Sequence, residues 1–230
     1  MFSNFDFDAI IRAAPYLFVT GMAFTLKLTF LAALFGTVLG TLVAMMRLSG
    51  LPPLPQFATA YVNLVRSLPL LLVIFWFYFL VPYIAQAAAH SERPITIDPF
   101  LSALITFTIF EAAYFSEIMR AGIQSLPKGQ VSAGYALGLS YWRVMAHVVL
   151  PQAFRNMLPV LLTQTIVLFQ DTSLVYVLSL NDFLGIAGKI GQRDGRLTEL
   201  YLFAAAVYFV ISFVASTAVR HMQARTAIIR

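Results

Sequence analysis

Five uninterrupted apolar stretches divide this sequence and constrain its fold more than any other feature. They are predicted to cover about residues 17–46, 58–83, 100–119, 157–180 and 199–219. Each is long enough to cross the roughly 30 Å hydrocarbon core of a bilayer as a helix, which rises about 1.5 Å per residue. Apolar residues make up 60% of the chain and charged residues 11%, against about a quarter charged in soluble domains. We therefore predict an all-α integral membrane protein, with one transmembrane domain over residues 1–230.

The basic residues are divided unevenly between the two sides of the predicted helices. An odd number of spans places the two termini on opposite sides of the membrane. One side carries nine Lys or Arg residues and the other five, and the richer side is usually cytoplasmic. The nine are Arg47, Arg66, Arg120, Lys128, Arg143, Arg155, Arg220, Arg225 and Arg230, and the five are Arg12, Arg93, Lys189, Arg193 and Arg196. We therefore predict an exterior N-terminus and a cytoplasmic C-terminus.

The stretch between the third and fourth spans, about residues 127–156, is too polar to cross a membrane and too apolar to be a solvated loop. This composition predicts short helices that lie at the cytoplasmic face of the membrane. Gly138 can adopt the left-handed conformation that ends a helix, and the Ser140 hydroxyl can cap the next helix. The predicted structure is a helix–turn–helix elbow that ends at Pro151.

The elbow sequence, GQVSAGYALGLSYWRVMAHVVLPQA, resembles the cytoplasmic EAA loop of permease subunits in bacterial ABC importers. That loop has the pattern E-A-A, three residues, Gly, nine residues, then I-x-L-P. This chain matches its spacing with Ser132, Ala133, Gly134, Gly138, Leu150 and Pro151, although Ser132 and Gly134 differ from the motif residues. The stretch YVNLVRSLPLLLVIFWFYFLVP (61–82) is similar to the second-span signature of polar amino acid permeases. The stretches LLTQTIVLFQDTSLVYVLSLNDF (161–183) and GQRDG (191–195) look most like the glutamate/aspartate branch of that family.

The resemblance implies a permease subunit for ATP-driven uptake of an amino acid, expected to be glutamate or aspartate. Another polar amino acid such as glutamine or histidine is the alternative. The implied fold has five transmembrane helices and a coupling loop, in the bacterial cytoplasmic (inner) membrane. The implied partners are a second, related permease subunit, two ABC ATPase subunits that use ATP and Mg²⁺, an extracytoplasmic amino-acid-binding protein and membrane lipids.

The elbow is the segment expected to contact the ATPase. No phosphate-binding loop of the form G-x-x-x-x-G-K-[ST] occurs in the sequence, so a separate subunit must bind the ATP that drives transport. Small residues at the contact face, namely Ala133, Gly134, Ala136 and Gly138, would let the elbow enter a cleft on that subunit. The alternative is an amphipathic helix that only lies on the membrane surface.

Three ionisable residues, Lys27, Glu111 and Asp171, lie inside the predicted spans. Such a residue usually faces protein or a water-filled path, because placing it in lipid costs roughly 2.5–3.5 kcal/mol. Two interpretations remain open. The three side chains neutralise one another, or they lie along the substrate path, together with the polar side chains Gln164, Gln170, Thr172 and Ser173.

Two further pairs of residues predict how the helices pack. Gly36 and Gly40 form a small-xxx-small pair in the first span, which favours close approach of two helix backbones. Glu117 and Arg120 are three residues apart near the end of the third span, so they can form an ion pair that anchors the elbow, worth roughly 0.2–0.5 kcal/mol. Arg66 is the alternative partner for Glu117.

The sequence argues against several other classes of protein. It contains no cysteine, and its three histidines are far apart and in no metal-ligand spacing, so we predict no catalytic residue and no metal site. The basic residues form no stripe interleaved with aromatic residues, so nucleic-acid binding is not expected. A self-sufficient carrier or channel is a less favoured alternative, because no internal repeat is visible.

Overall fold

The computed structural model describes residues 5–93 and 95–226, and within these ranges the chain forms eight helices and no strand. We name the helices α1 to α8 in chain order. They are α1 (Phe7–Leu48), α2 (Leu54–Arg66), α3 (Leu70–Ala88), α4 (Pro99–Gln124), α5 (Lys128–Ala136), α6 (Tyr141–Leu178), α7 (Phe183–Asp194) and α8 (Leu197–Thr226). Five of them, α1, α3, α4, α6 and α8, are long and apolar enough to cross a membrane, which confirms the predicted fold class. Arg230, counted in the charge balance above, lies outside the described residues.

The most extensive helix contact in the bundle is between α1 and α4, and it depends on two glycines. A Cβ atom at Gly36 would lie 3.1 Å from the Glu111 Cβ. A Cβ at Gly40 would lie 2.9 Å from the Phe115 Cβ and 3.0 Å from the Ala112 carbonyl oxygen. The glycine pair therefore packs as the sequence predicted, with backbone against backbone.

The first span is longer than predicted, because α1 begins at Phe7 rather than near residue 17. Asp6 caps its start by accepting a hydrogen bond from the Ala9 N–H at 3.1 Å. Pro15 lies inside the helix, and a π-helical turn follows it at Leu17–Met22. Such a turn allows one extra residue per turn, so the helix continues past the proline instead of ending.

The predicted second span, 58–83, is wrong in its first part. The helix breaks after Arg66, so residues 54–66 form the separate helix α2, and the span itself begins at Leu70 and ends at Ala88. Pro69 has an extended backbone with ψ of 128° and precedes the first helical residue. A proline disfavours helical geometry at the residue before it, which explains the break. The third and fifth spans are also longer than predicted, at Pro99–Gln124 and Leu197–Ala224.

The predicted end of the elbow at Pro151 is also wrong. The helix that starts at Tyr141 runs through Pro151 and continues to Leu178, so the second half of the predicted 127–156 loop belongs to the fourth span. A π-helical turn at Met145–Val149 follows the first α-helical turn of α6 and directly precedes Leu150 and Pro151, which open its longer α-helical part. A proline needs no N–H partner in the first turn of a helical segment, so it does not end α6.

The segment after the fourth span contains a helix, α7, that the sequence analysis did not predict. Asp182 caps its start by accepting hydrogen bonds from the N–H groups of Leu184 and Gly185, at 3.0 and 3.1 Å. Gly195, with φ of +67°, ends it. Burial raises the pKa of the Asp182 carboxyl to about 7. Apolar residues of α7 pack against the start of α1 and against α8. The cluster that they form includes Leu17, Phe183, Ile186 and Leu200.

Candidate functional site

The elbow is a compact turn between α5 and α6. Gly138 has φ of +75°, as predicted, and its N–H donates to the Tyr135 carbonyl at 2.9 Å. The Leu139 N–H donates to the Gly134 carbonyl at 3.2 Å, which completes the closing turn of α5. Ser140 occupies the N-cap position of α6, but its hydroxyl makes no capping bond. The turn is therefore held by the backbone and by the glycine.

Gly134 does not lie on the outer face of the elbow, as the sequence analysis expected. It is buried, and a Cβ atom there would lie 2.9 Å from Cγ2 of Val144. Its small size therefore lets α5 pack on the first turn of α6, and it is not available to a partner. Of the other residues in the predicted motif, Ser132, Ala133, Gly138, Leu150 and Pro151 are exposed.

The exposed side of the elbow is formed by large side chains. Leu137 is 80% exposed and Trp142 is 78% exposed, and Tyr135 and Tyr141 are also exposed. The rings of Tyr141 and Trp142 lie edge to face at 5.4 Å. Exposed aromatic and leucine side chains of this density are typical of a protein contact surface. We call these four residues the elbow knob.

The predicted anchor, Glu117, bonds to two arginines. It accepts hydrogen bonds from Arg120, as predicted, and from Arg47 at the end of α1. Arg66 is not its partner, because the Arg66 guanidinium lies over the Tyr114 ring at 5.3 Å. Arg47 was missed because it is 70 residues away in the sequence. The glycine pair on α1 was the only related signal, since it indicates that α1 packs closely on another helix, but it does not identify that helix as α4.

Glu111 lies in the middle of the bundle and is fully buried. Its two carboxyl oxygens accept hydrogen bonds from the Gln164 amide nitrogen at 3.3 and 3.2 Å. This contact joins α4 to α6 beside Gly36 of α1. Glu111 and Gln164 were both predicted to line the substrate path. They do contact each other, but in the packed interior between the helices.

Lys27 and Asp171 are not part of that pair. The Lys27 ammonium lies 4.8 Å from the centre of the Phe100 ring, at the start of α4. Gly36 packs on Glu111, and Lys27 is nine residues before it, about 13 Å along the helix. Asp171 is half-buried near the end of α6. Among the ion pairs of the described residues, none joins Lys27, Glu111 and Asp171 to one another.

Two of the three remaining predicted path residues line a groove between α6 and α8, with a cavity volume of about 370 Å³. Gln170 and Ser173 line it from α6. Thr172 does not reach it, because its side chain is fully buried and its hydroxyl donates to the Phe169 carbonyl at 2.7 Å. The α8 side of the groove was missed by the sequence analysis, and it consists of Tyr208, Phe209, Ser212, Phe213 and Ser216. The sequence does contain a signal for this side of the groove, because the polar residues Tyr208, Ser212 and Ser216 recur every four positions in the otherwise apolar helix α8.

The family model described as "Binding-protein-dependent transport system inner membrane component" matches residues 36–228. The chain belongs to this family of inner-membrane transport components. Its membership implies, in general terms, an ATPase partner that uses ATP and a substrate-binding protein partner. Within the described residues, no group of three or more His, Cys, Asp or Glu side chains could hold a metal ion.

Relatives of this permease cover nearly its whole length. It is 52% identical to the glutamate/aspartate import permease protein of Escherichia coli O6:H1, over 97% of this chain and 99% of the relative. It is 37% identical to the L-cystine transport system permease protein of Bacillus subtilis, over 85% of this chain and 80% of that one. The crystal structure of an amino acid ABC transporter with histidines matches with a TM-score of 0.85 and 30% identity, over 96% of this chain and 98% of that one.

Proposed function

We propose that this permease forms the translocation path of an ATP-driven importer for glutamate and aspartate. The observation that carries the proposal is the 52% identity to a glutamate/aspartate import permease along nearly the full length of both chains. The proposed complex contains a second, related permease subunit, two ABC ATPase subunits and an extracytoplasmic binding protein. The L-cystine permease is more distant, at 37% identity, which favours acidic amino acids over that substrate.

We orient the proposed complex with the N-terminus outside and the elbow in the cytoplasm. The distribution of Lys and Arg supports this orientation, because nine of these residues fall on the side of the elbow and five on the other side. In it the elbow knob enters a cleft on the ATPase, and Glu117 fixes the adjoining end of α4 through Arg47 and Arg120. The Ser125 hydroxyl accepts a hydrogen bond from the Asn156 amide at 2.9 Å, so α6 is held to the same point. The elbow therefore has a rigid support.

The substrate path in this proposal runs past Asp171 and the groove lined by Gln170 and Ser173. Asp171 is half-buried and has no ion-pair partner among the described residues, so it is available to the α-ammonium group of an amino acid. Gln164 and Glu111 bond to each other in the core, and Lys27 lies near the start of α4, so we assign these three to the support of the path.

Uptake by the reconstituted complex tests the substrate. We expect vesicles that contain both permeases, the ATPase and the binding protein to accumulate labelled glutamate only when ATP is present. Unlabelled aspartate should compete, and glutamine and histidine should compete at least about tenfold more weakly, because their side chains lack the carboxylate. Uptake driven by an ion gradient without ATP would refute the pump mechanism, and preferential competition by glutamine would change the assigned substrate.

Asp171→Asn tests the path. The substitution keeps the size of the side chain and removes its charge, so we expect glutamate uptake to fall about tenfold or more, the loss typical of a charged hydrogen bond. Assembly should be unchanged, as judged by co-purification of all subunits. Asp194→Asn is the control, because Asp194 is paired with Arg193 at the end of α7. Wild-type uptake by the Asp171 variant would remove this residue from the path.

A further inference from the structure

Arg66 is the only Asp, Glu, Lys or Arg residue in the segment 54–88, which contains α2 and α3. It ends α2, and its guanidinium carbon lies 5.3 Å from the centre of the Tyr114 ring of α4. The Tyr61 hydroxyl of α2 donates a hydrogen bond to the Ile109 carbonyl of α4. These two contacts hold the end of α2 against the middle of α4.

The position of Tyr114 along α4 places Arg66 deep in the membrane. The helix covers Pro99–Gln124, and Tyr114 lies fifteen residues after its start and ten before its end. At about 1.5 Å per residue, these distances are about 22 Å and 15 Å, so Tyr114 is about 4 Å from the midpoint of the helix. The Arg66 guanidinium packs on its ring at that depth. It is too deep to reach the headgroups by snorkelling, which serves residues near helix ends.

The surroundings of Arg66 are polar and open. Asn63, Arg66 and Ser67 are all exposed, and the helix breaks directly after Arg66. A charge that faces lipid at this depth costs roughly 2.5–3.5 kcal/mol. Irregular backbone at membrane depth is tolerated only inside protein or beside a water-filled cavity. This surface of α2 therefore faces a polar space in the assembled transporter and not the lipid.

Arg66 has no carboxylate partner among the ion pairs of the described residues. Glu117, three residues after Tyr114, is bonded instead to Arg47 and Arg120. The Tyr114 ring attracts the cation but does not neutralise it. A guanidinium only donates, and its planar fork matches a carboxylate through two parallel hydrogen bonds. The group that complements Arg66 is therefore a carboxylate from outside the described part of this chain.

We propose that Arg66 binds a carboxylate of the transported amino acid midway across the membrane. This inference rests on the proposed function of glutamate and aspartate import, because these substrates carry two carboxylates and a net negative charge. It adds the end of α2 to the path and supplies the positive charge that the residues near the tip of α6 lack. The Tyr114 ring positions the guanidinium for this contact.

The contact at Arg66 follows the contact at Asp171 along the path in the proposed orientation. Gln164 of α6 bonds to Glu111 of α4, and Asp171 lies seven residues beyond Gln164, about 10 Å toward the outer side. Tyr114 lies three residues beyond Glu111, about 5 Å toward the cytoplasm. The two contacts are thus about 15 Å apart along the helix axes, so the substrate meets them in succession.

Arg66→Gln and Arg66→Lys in the complete reconstituted complex test the inference. The glutamine variant removes the charge, so we expect glutamate import at a saturating concentration of loaded binding protein to fall about tenfold or more. The lysine variant keeps the charge and should import within about threefold of the wild type. ATP hydrolysis stimulated by the binding protein should stay within about twofold of the wild type in both. Wild-type import by Arg66→Gln would overturn the inference.

A purely structural role for Arg66 gives a different pattern. Lysine lacks the planar guanidinium that stacks on Tyr114, so loss of stacking would impair both variants alike and would lower ATP hydrolysis together with import. The quantity to compare is therefore the number of glutamate molecules imported per ATP hydrolysed. A fall in this number that the lysine variant restores supports a charge contact with the substrate, and an equal loss in both variants contradicts it.

Arg220→Gln is the matched control. Arg220 is exposed near the end of α8, where its guanidinium donates to the Thr217 hydroxyl at 3.3 Å. The same loss of positive charge should leave import per ATP at the wild-type value, because Arg220 lies far from the middle of the membrane helices. An equal fall in Arg220→Gln and Arg66→Gln would attribute the effect to the net charge of the subunit and overturn the inference.

Two further outcomes separate this inference from its alternatives. Loss of the second permease subunit on purification of Arg66→Gln, but not of Arg66→Lys, would assign the carboxylate to that subunit and overturn the inference. A wild-type complex that imports a different amino acid would overturn the proposed substrate alone. Arg66→Gln would then be measured on that amino acid, because it also carries an α-carboxylate.

Discussion

Replacing Gly40 by leucine is expected to remove most of the folded permease. Even a Cβ atom at this position would lie 2.9 Å from the Phe115 Cβ, 3.0 Å from the Ala112 carbonyl oxygen and 3.1 Å from the Ser116 nitrogen. Two of these three neighbours are backbone atoms of α4, so the clash can be relieved only by separating the two helices. Overpacking of a core typically costs about 1–3 kcal/mol, and a backbone clash in the main helix contact should reach the upper end.

The measurement is thermal unfolding of the detergent-solubilised protein, together with the monodisperse fraction on size-exclusion chromatography. Gly50→Leu is the control, because a Cβ at Gly50 would meet nothing within 4 Å. We expect the control to unfold at the wild-type temperature and Gly40→Leu to aggregate or to unfold at a clearly lower temperature. Equal stability of the two variants would show that α1 and α4 do not pack as described.

Removing the elbow knob is expected to abolish ATP-driven uptake while the permease stays folded. Leu137 and Trp142 are about four-fifths exposed, so they contribute little to the stability of the isolated chain. Tryptophan is enriched among the few interface residues that contribute about 2 kcal/mol or more, which is about thirtyfold in affinity, and an aspartate in place of Leu137 adds an unpaired charge to the contact. In the double variant Leu137→Asp with Trp142→Ala, the ATPase should therefore no longer co-purify, and uptake should fall below about a tenth of the wild-type rate.

Leu51→Asp is the matched control for that experiment. Leu51 is 68% exposed and lies in the linker between α1 and α2, close in sequence to Arg47 but outside the elbow. The same change of leucine to aspartate should leave ATPase binding and uptake within about twofold of the wild type. If both variants retain the ATPase, the elbow knob is not the coupling contact. If both lose it, the added charge rather than the knob accounts for the effect.

The sequence was sufficient to predict features that depend on local composition. Five apolar stretches gave the five membrane helices, and Gly138 marked the left-handed turn of the elbow. The pair Gly36 and Gly40 indicated a close helix contact, although not the partner helix. These predictions succeeded because hydropathy and the freedom of glycine act within a few residues.

The prolines show where local reasoning failed. Pro69 precedes a break, whereas Pro15 and Pro151 lie inside continuous helices next to π-helical turns. The sequence around each proline predicts a boundary, and only the neighbouring turn geometry and tertiary packing decide whether the helix continues. The same limit explains why α2 was merged with the second span, and why the fourth span was started too late.

The candidate site was only partly predictable for a similar reason. The polar and charged residues of the site were identified from the sequence. Their bonding partners were not, because those partners lie in distant segments of the chain. Glu117 bonds to Arg47 across 70 positions, and Gln164 bonds to Glu111 across 53. Gly134 has the small size that the motif predicts, but the space is filled by Val144 of the same chain. The chemistry of a position can thus be read from the sequence when its partner cannot.

The unbroken course of α6 has a mechanical consequence. Its 38 residues connect the elbow turn to residue 178 as one continuous helix, with a π-helical turn at Met145–Val149 and a 3-10 segment at Thr172–Leu178, so the helix is a lever about 57 Å long. Each degree of rotation about the elbow would displace the far tip by about 1 Å. Asp171 and Ser173 sit near that tip, so a small movement imposed at the elbow is magnified where the substrate is expected to pass.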